Sequence, residues 1–598
     1  MKRSRVMVVV AVALVAAGGV AAVAKVGQSG PSSVAHAYPE PGSIAASPGT
    51  SITLRGVPAT NVGTIGVAGS KSGQHAGSLT LSRDGDGATF TPRTPFQEGE
   101  KVAVRTSTKI AGASNGKFSF TVAHHAAPAA VPASATQPTS GPYRTRPEMD
   151  PPPVTVDAKG TMFNGLLASA PDEGASGLLL SDTTGQPVWF KPAEPGHTVG
   201  DLHVATYRGK QVLVYFDGTS GFGAGNYRGS WHILNTSYEQ IATVSAGNGA
   251  SADLHDILLR SDGTAVVESY DPVIMNMSKY GGKSKATVLD CEIQQIDVAT
   301  GEVLFEWHSL DHLSPSESYA DLTGSVVDYF HANTIAADPQ HPGNIIVSAR
   351  HLSQVFSLSL KTGRIGWRVG GKHPTLKLTK GAIDTVSVGG QTLPFSYQHD
   401  ARIQPDGTLT VYDNGNQRHP GFSRAPTFTL NLKKHTVTED NAAELRHQPD
   451  LYGDATGDAQ RLPNGDVLVS WGTTGKATEY NAKKQVVAEI TTSQTYRMLA
   501  AAWHATPTTR PALSVSVGSP SRADVYTSWN GATDVADWRI LAGTDAKHLH
   551  PVATAKRSGF ETAISIPIDS TTNYVQVQAR SGTGAVLGTS ITTQVLRP

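Results

Sequence analysis

The chain has 598 residues, with Lys+Arg 49 against Asp+Glu 49, so it carries no net charge and offers no broad basic surface for nucleic acid. That length exceeds one ordinary core and predicts several domains or a repeat architecture. Apolar residues make up 39% and charged residues 16%, with Gly 61 and Pro 36, which suits a folded, turn-rich β protein rather than a disordered one.

Lys2, Arg3 and Arg5 form a basic start, and Val6 to Ala24 is continuously small or apolar. This predicts a signal peptide or membrane anchor over 1–24, and hence a secreted or extracytoplasmic protein, with cell-surface or membrane association through that segment if it is retained. A polar spacer, 25–40, follows. Cys291 is the only cysteine, so no internal disulfide can form; its strand-like setting, Leu289-Asp290-Cys291-Glu292, reads as a buried structural thiol.

Short β-like runs alternate with turn signals over 41–124, among them Ser51-Ile52-Thr53-Leu54 and Phe118-Ser119-Phe120-Thr121, and predict a small β-sandwich similar to bacterial Ig-like modules. A Pro/Ala-rich linker is expected over 125–149. From 150 to 508 two turn types recur. Arg208-Gly209-Lys210, Ser261-Asp262-Gly263, Pro342-Gly343-Asn344, Pro405-Asp406-Gly407 and Pro463-Asn464-Gly465 each precede an apolar strand. Interleaved with them are Thr183-Thr184-Gly185, Ala299-Thr300-Gly301 and Lys361-Thr362-Gly363, with weaker versions near Ser237-Tyr238, Lys434-His435 and Lys483-Lys484. Two alternating hairpins per unit of roughly 50 to 70 residues describe four-stranded blades. The fold class is therefore all-β: a six-bladed β-propeller flanked by two small β-sandwich domains, the second over 511–598 and similar to a fibronectin type III module.

Four basic residues in the repeat region stand beside strand-like runs: His255 in Leu254-His255-Asp256, His331 in Tyr329-Phe330-His331-Ala332-Asn333, Arg350 in Ser348-Ala349-Arg350-His351, and His399 in Gln398-His399-Asp400-Ala401-Arg402. Blades around one axis can gather them into a cationic funnel. No His-x-His or His-x3-His spacing links them, so a metal is not required. His308, His312, His351, His373 and His419 read as surface or loop histidines. Strand alternation points Asp400 away from His399 and gives it a structural role. Asp413, Asn414 and Arg424 read as turn and blade-locking residues.

These motifs, with Tyr412-Asp413-Asn414-Gly415 and Ser423-Arg424-Ala425 following in order, resemble the bacterial arylsulfotransferase family over about 150 to 505. The resemblance implies transfer of a sulfuryl group from an aryl sulfate ester to a phenol, without an adenylylated sulfate donor, any cofactor or a metal, through a sulfated histidine. By motif, His399 would be the nucleophile, with His331, Arg350 and His255 completing the catalytic set and Asn333 and Arg402 binding substrate. Two other classes fit a propeller: a quinoprotein-like dehydrogenase, suggested by the Thr-Gly turns that lead into Trp, and a non-catalytic surface propeller for adhesion. Oligomeric state leaves no trace in the sequence.

Overall fold

The computed structural model describes residues 34–127, 141–171, 176–223 and 225–597. The expected export segment 1–24 and the middle of the expected linker lie outside them. Strand is the dominant element, and the one α-helix among the described residues, Ser309–His312, is a single turn.

Six four-stranded antiparallel units can be followed in order among the described residues at the centre of the chain, the second and third merged into one sheet through the Gly229–Ala252 pair. The second runs Thr198–Tyr207, Lys210–Ser220, Tyr227–Leu234, Gln240–Val244, and the third Ala252–Leu259, Thr264–Met275, Ala286–Asp297, Val303–His308. The fourth is Ala332–Ala337 to Ile365–Gly370, the fifth His399–Ile403 to Thr436–Glu439, and the sixth Asp458–Arg461 to Val486–Thr491. The first unit takes three strands from the beginning of the region, Leu166–Ser169, Gly177–Ser181 and Pro187–Pro192, and its inner strand, Leu499–Ala501, from the end. Thr155–Ala158 adds a fifth, outer strand to the sixth unit. Both ends of this region thus clasp the ring, the layout of a closed β-propeller, whose inner strands remain short edges facing the axis.

The recurring turns fall where the repeat demands. Gly209, Gly263, Gly407 and Gly465 adopt positive φ in the hairpins between first and second strands, which a side chain would strain. Asp262 and Asp406 lock two of these turns by accepting from the backbone N–H and hydroxyl of Thr264 and Thr408.

Adjacent units are held by burial on both faces of each sheet. Phe216 and Trp231 meet Ile257 and Ile296 between the second and third units, and Phe305 meets Val347 and Phe356 between the third and fourth. Trp367 meets Leu409 and Phe428 between the next pair, and Tyr412 meets Val469 and Trp471 after that. Leu468 with Leu167, and Leu180 with Leu213, close the circle. A fully buried side chain of this kind contributes about 1.5–3 kcal/mol, so the ring is stabilised by packing and needs no disulfide. Cys291 is 0% exposed in one of these seams, and burial pushes its thiol well up, leaving it inert.

An N-terminal pair of four-stranded sheets spans His36–Tyr38 to Lys117–Thr121 around a core of Ile52, Leu54, Val102 and Phe120. Its first strand falls within the stretch expected to be spacer, because His36–Tyr38 pairs with Thr53, Leu54 and Arg55. It is seated on the third unit through Thr53, whose hydroxyl donates to Val303 O at 3.1 Å, and through Ser82 and Thr89, which both donate to Glu302 at 2.9 Å. A C-terminal two-sheet sandwich, Ala512–Ser519 to Thr593–Gln594, is built around Trp529, Trp538 and Val577. Asn530 clamps it to the first unit by a reciprocal pair of bonds with the backbone of Phe190, each 2.9 Å. The end of the expected linker is not free chain: Tyr143 and Met149 pack with Phe190 and Phe560.

Candidate functional site

The inner strands of successive units are tied level with one another. Ile335 N donates to Asp256, Ala401 N to the hydroxyl of Thr334, and Ala459 N to Asp400, at 3.1–3.3 Å. Residues just before this level therefore surround the axis at one end, and residues just after it surround the other.

The upper level gathers His255, His331 and His399, each at most 5% exposed. The ring of His331 lies 4.9 Å from that of His255 and 4.7 Å from that of His351. Tyr496 stands 5.4 Å from His255 and 6.4 Å from His399. Arg350, on a single turn of 3₁₀ helix after the strand Asn344–Ala349, covers the face of Tyr397 at 4.8 Å. Irregular backbone produces this convergence. Inner-strand register shifts lie between Ala252 and Ile257, between Ala332 and Thr334, and between His399 and Arg402, and His331 has φ +52°. Such bulges re-aim side chains that a regular strand would alternate.

Each histidine has its Nδ1 committed. Asn414 donates through Nδ2 to Gly453 O at 2.8 Å and Thr456 O at 3.1 Å, which turns its Oδ1 toward His399; Nδ1–H of His399 donates to it at 2.7 Å. That fixes the tautomer and leaves the lone pair on Nε2. Burial, reinforced by the Arg350 charge, holds the His399 imidazole well below its usual range, so it is neutral at pH 7. His331 donates to Asp328 at 2.5 Å; burial outweighs this carboxylate and takes His331 down to about 3. His255 is paired through Nδ1 to Asp253, which Tyr227 N also holds, at 2.6 Å.

Arg350 is a cation without a carboxylate partner among the described residues. Its terminal nitrogens donate to Nε2 of His351 at 2.8 Å and to Asp454 O at 2.9 Å. His351, set aside as a loop histidine, joins the cluster instead: its Nδ1–H donates to Asp328 O at 2.6 Å, and it buttresses the guanidinium.

Two expected substrate ligands are placed differently. Asn333 lies in the wall, 0% exposed, with Nδ2 donating to Gln398 O at 2.8 Å and its own carbonyl accepting from Tyr496 and Arg497 at 3.2 Å. Arg402 does not join the histidines. It donates to Asp400 at 2.7 Å and Asp256 at 3.0 Å and faces the other end of the axis. Asp400 has the structural role expected, but for another reason: it sits at φ +47° within the bulge, so alternation does not apply, and it ties Arg402 to the sixth unit.

Among the described residues, Asp328, His331 and His351, and likewise Asp253, His255 and Glu268, have ligand-type atoms within 4.8 Å of one another. In both groups the Nδ1 positions are already used by hydrogen bonds that orient the rings, which leaves Nε2 of His255 and His331 uncommitted among the described residues.

One family model matches this region. Residues 203–493 match the arylsulfotransferase (ASST) family model. The central domain is arylsulfotransferase-like. That match spans all three histidines, Arg350 and Asn414, and supports aryl sulfotransferase activity in general terms. No curated protein matches the chain. Among solved structures, a Bacteroides caccae protein of unknown function is similar at 13% identity and TM-score 0.35, covering 56% of this chain and 99% of its own. A catalytically inactive virginiamycin B lyase from Staphylococcus aureus with quinupristin is similar at 8% identity and TM-score 0.28, covering 63% and 97%. AztD from Citrobacter koseri gives 9% identity and TM-score 0.28, covering 56% and 97%. Likeness this remote says nothing of activity.

Proposed function

We propose that this protein, acting outside the cytoplasm, moves a sulfuryl group from an aryl sulfate ester to a phenol by a ping-pong reaction through sulfated His399, with no adenylylated sulfate donor and no metal. The observation that carries the reading is the neutral His399 imidazole whose Nδ1 is spent on Asn414, leaving Nε2 as a nucleophile under the charge of Arg350, a guanidinium with no carboxylate partner among the described residues.

In the first half-reaction the Nε2 lone pair forms the N–S bond, and the S–O bond to the aryl group breaks with its electron pair departing on the aryloxide. Charge grows on the sulfuryl oxygens and on the leaving oxygen. Arg350 answers that charge, and one such fixed donor contributes about 3 kcal/mol in a water-poor site. His331 is neutral at pH 7 and has no proton for the leaving group, so it suits the second half-reaction. There its Nε2, with the ring held by ionised Asp328, accepts a hydrogen bond from the acceptor phenol and orients it, while its low basicity leaves the proton itself to His255. The phenolate then attacks sulfur, the N–S pair returns to His399, and the proton passes to water. His255, oriented by Asp253, is the base positioned for this step.

The experiment is turnover of 4-nitrophenyl sulfate with and without phenol, in the presence of a chelator. The reading expects one equivalent of nitrophenolate without acceptor, sustained release with it, and parallel double-reciprocal plots. Release at the same steady rate without phenol would identify a sulfatase, and chelator sensitivity would identify a metal enzyme.

A further inference from the structure

At the opposite end of the axis, past the level that ties the inner strands together, lies a second cavity of about 500 Å³, which the sulfuryl-transfer reading does not use. Its rim and walls are small and aliphatic, with Val204, Leu258, Ala337, Ile403 and Leu499 among them. Its inner end is charged. Arg402 pairs with Asp400 and Asp256, and Arg497 with Asp201 at 3.2 Å and Asp256 at 3.5 Å; His203 stands 3.4 Å from Asp201. Three carboxylates are thus matched by two guanidiniums and an imidazole.

A fourth carboxyl is left over. Asp458, the first residue of the sixth unit's inner strand, lines this cavity at 0% exposure, and neither of its oxygens has a hydrogen-bond partner among the described residues. A buried carboxyl without a partner costs several kcal/mol if ionised, and it keeps its proton instead. Burial and the nearby Asp400 push Asp458 well up, against the opposing charges of Arg497 and Arg402. One ligand-borne cation would complete the balance of this layer.

We propose that this cavity is a second binding site, distinct from the histidine cluster, for a small organic amine: a primary ammonium on a compact apolar body, anchored on the Asp458 carboxylate. Both Asp458 oxygens are closed to solvent at rest, so binding turns this side chain into the cavity, where the ammonium donates to them and the hydrocarbon body occupies the aliphatic vestibule, whose size fits a single ring. A metal ion is the poorer occupant, since two guanidiniums share the layer and the four carboxyls are not among the groups whose ligand atoms converge. Binding displaces the Asp458 proton to solvent, so one proton is released per amine bound. The groups facing Asp458 are Asp400 and Arg402 from the fifth unit, Arg497 at the closing strand and Asp201 from the second; all four are already charged and paired, which leaves Asp458 to titrate.

The test uses benzylamine as probe, with benzyl alcohol as its uncharged equivalent, measured by calorimetry on the full chain. Saturable benzylamine binding at least tenfold tighter than benzyl alcohol is expected, with heats in two buffers of different ionisation enthalpy reporting one proton released. Asp458→Asn should weaken benzylamine at least tenfold. Ala337→Trp, a change at an exposed rim position, should do the same through blockage while leaving the melting temperature unchanged, and it decides the matter if Asp458→Asn does not fold. No saturable binding at millimolar benzylamine, equal binding of benzyl alcohol, or binding that survives Ala337→Trp would overturn the site.

Discussion

Replacing Asn414 by alanine tests how the fold prepares His399. In the resting site the Asn414 carbonyl accepts a neutral N–H at 2.7 Å; as Nε2 bonds to sulfur, the ring gains positive charge and that same bond becomes charge-assisted. Neutral hydrogen bonds contribute about 0.5–1.5 kcal/mol and charged ones about 1.5–3 kcal/mol, so roughly 1–1.5 kcal/mol of stabilisation exists only in the transition state. That is about tenfold in rate, and loss of the single tautomer adds about another factor of two. The expected result for Asn414→Ala is a roughly 20-fold slower burst of nitrophenolate at undiminished amplitude, followed by stopped-flow absorbance. Stability should fall by about 1–3 kcal/mol, because Thr456 O loses its donor while Gly453 O keeps Ser423 at 3.3 Å. A burst within twofold of the unaltered protein, with the expected loss of stability, would refute the positioning role and leave Asn414 a blade lock.

Three further outcomes follow from the same geometry. Arg350→Ala should lower the sulfurylation rate by about 10²–10³, the effect of removing one preorganised donor, with little change in melting temperature because the side chain holds no ion pair; a change confined to KM would contradict a transition-state role. The burst rate should be flat from pH 8 to pH 5: His399 is held well below 6.5, its neutral form is the reactive one, and it therefore persists as pH falls. An ordinary imidazole at 6.5 would lose about 30-fold by pH 5, and such a limb in the profile would show His399 to be unperturbed. His308→Ala should destabilise the third unit by about 3–5 kcal/mol in a thermal melt, since it strips Asp290 and Glu306 of their buried cation; a loss under 1 kcal/mol would show that network to be dispensable.

The repeat was legible because turns obey local rules. Asp262-Gly263-Thr264 and Asp406-Gly407-Thr408 announce a hairpin by backbone sterics and an Asp side chain that reaches only its own turn. Six second-type turns but only five of the first type appear in the sequence; the missing one belongs to the first unit, whose inner strand arrives from residue 499 and needs no hairpin. The histidines were legible as motifs, and their carboxylate partners stood within three residues, as Asp253 before His255 and Asp328 before His331. The spacing was the available signal for both. Asn414 and His351 were harder to read, since each acts across a loop closure that only the folded ring defines. Arg402 was misplaced because a bulge, invisible in composition, turns Asp400 and Arg402 toward the far end of the axis. The strand at His36–Tyr38 was missed because three residues carry too little periodicity to stand out.

The central claim is a covalent intermediate on one imidazole. Brief exposure to 4-nitrophenyl sulfate without acceptor, followed by alkaline quenching, proteolysis and mass spectrometry, should find one sulfuryl group on the peptide carrying His399, discharged on adding phenol and absent from His399→Ala. A sulfuryl group on another peptide, or turnover that persists in His399→Ala, would contradict it.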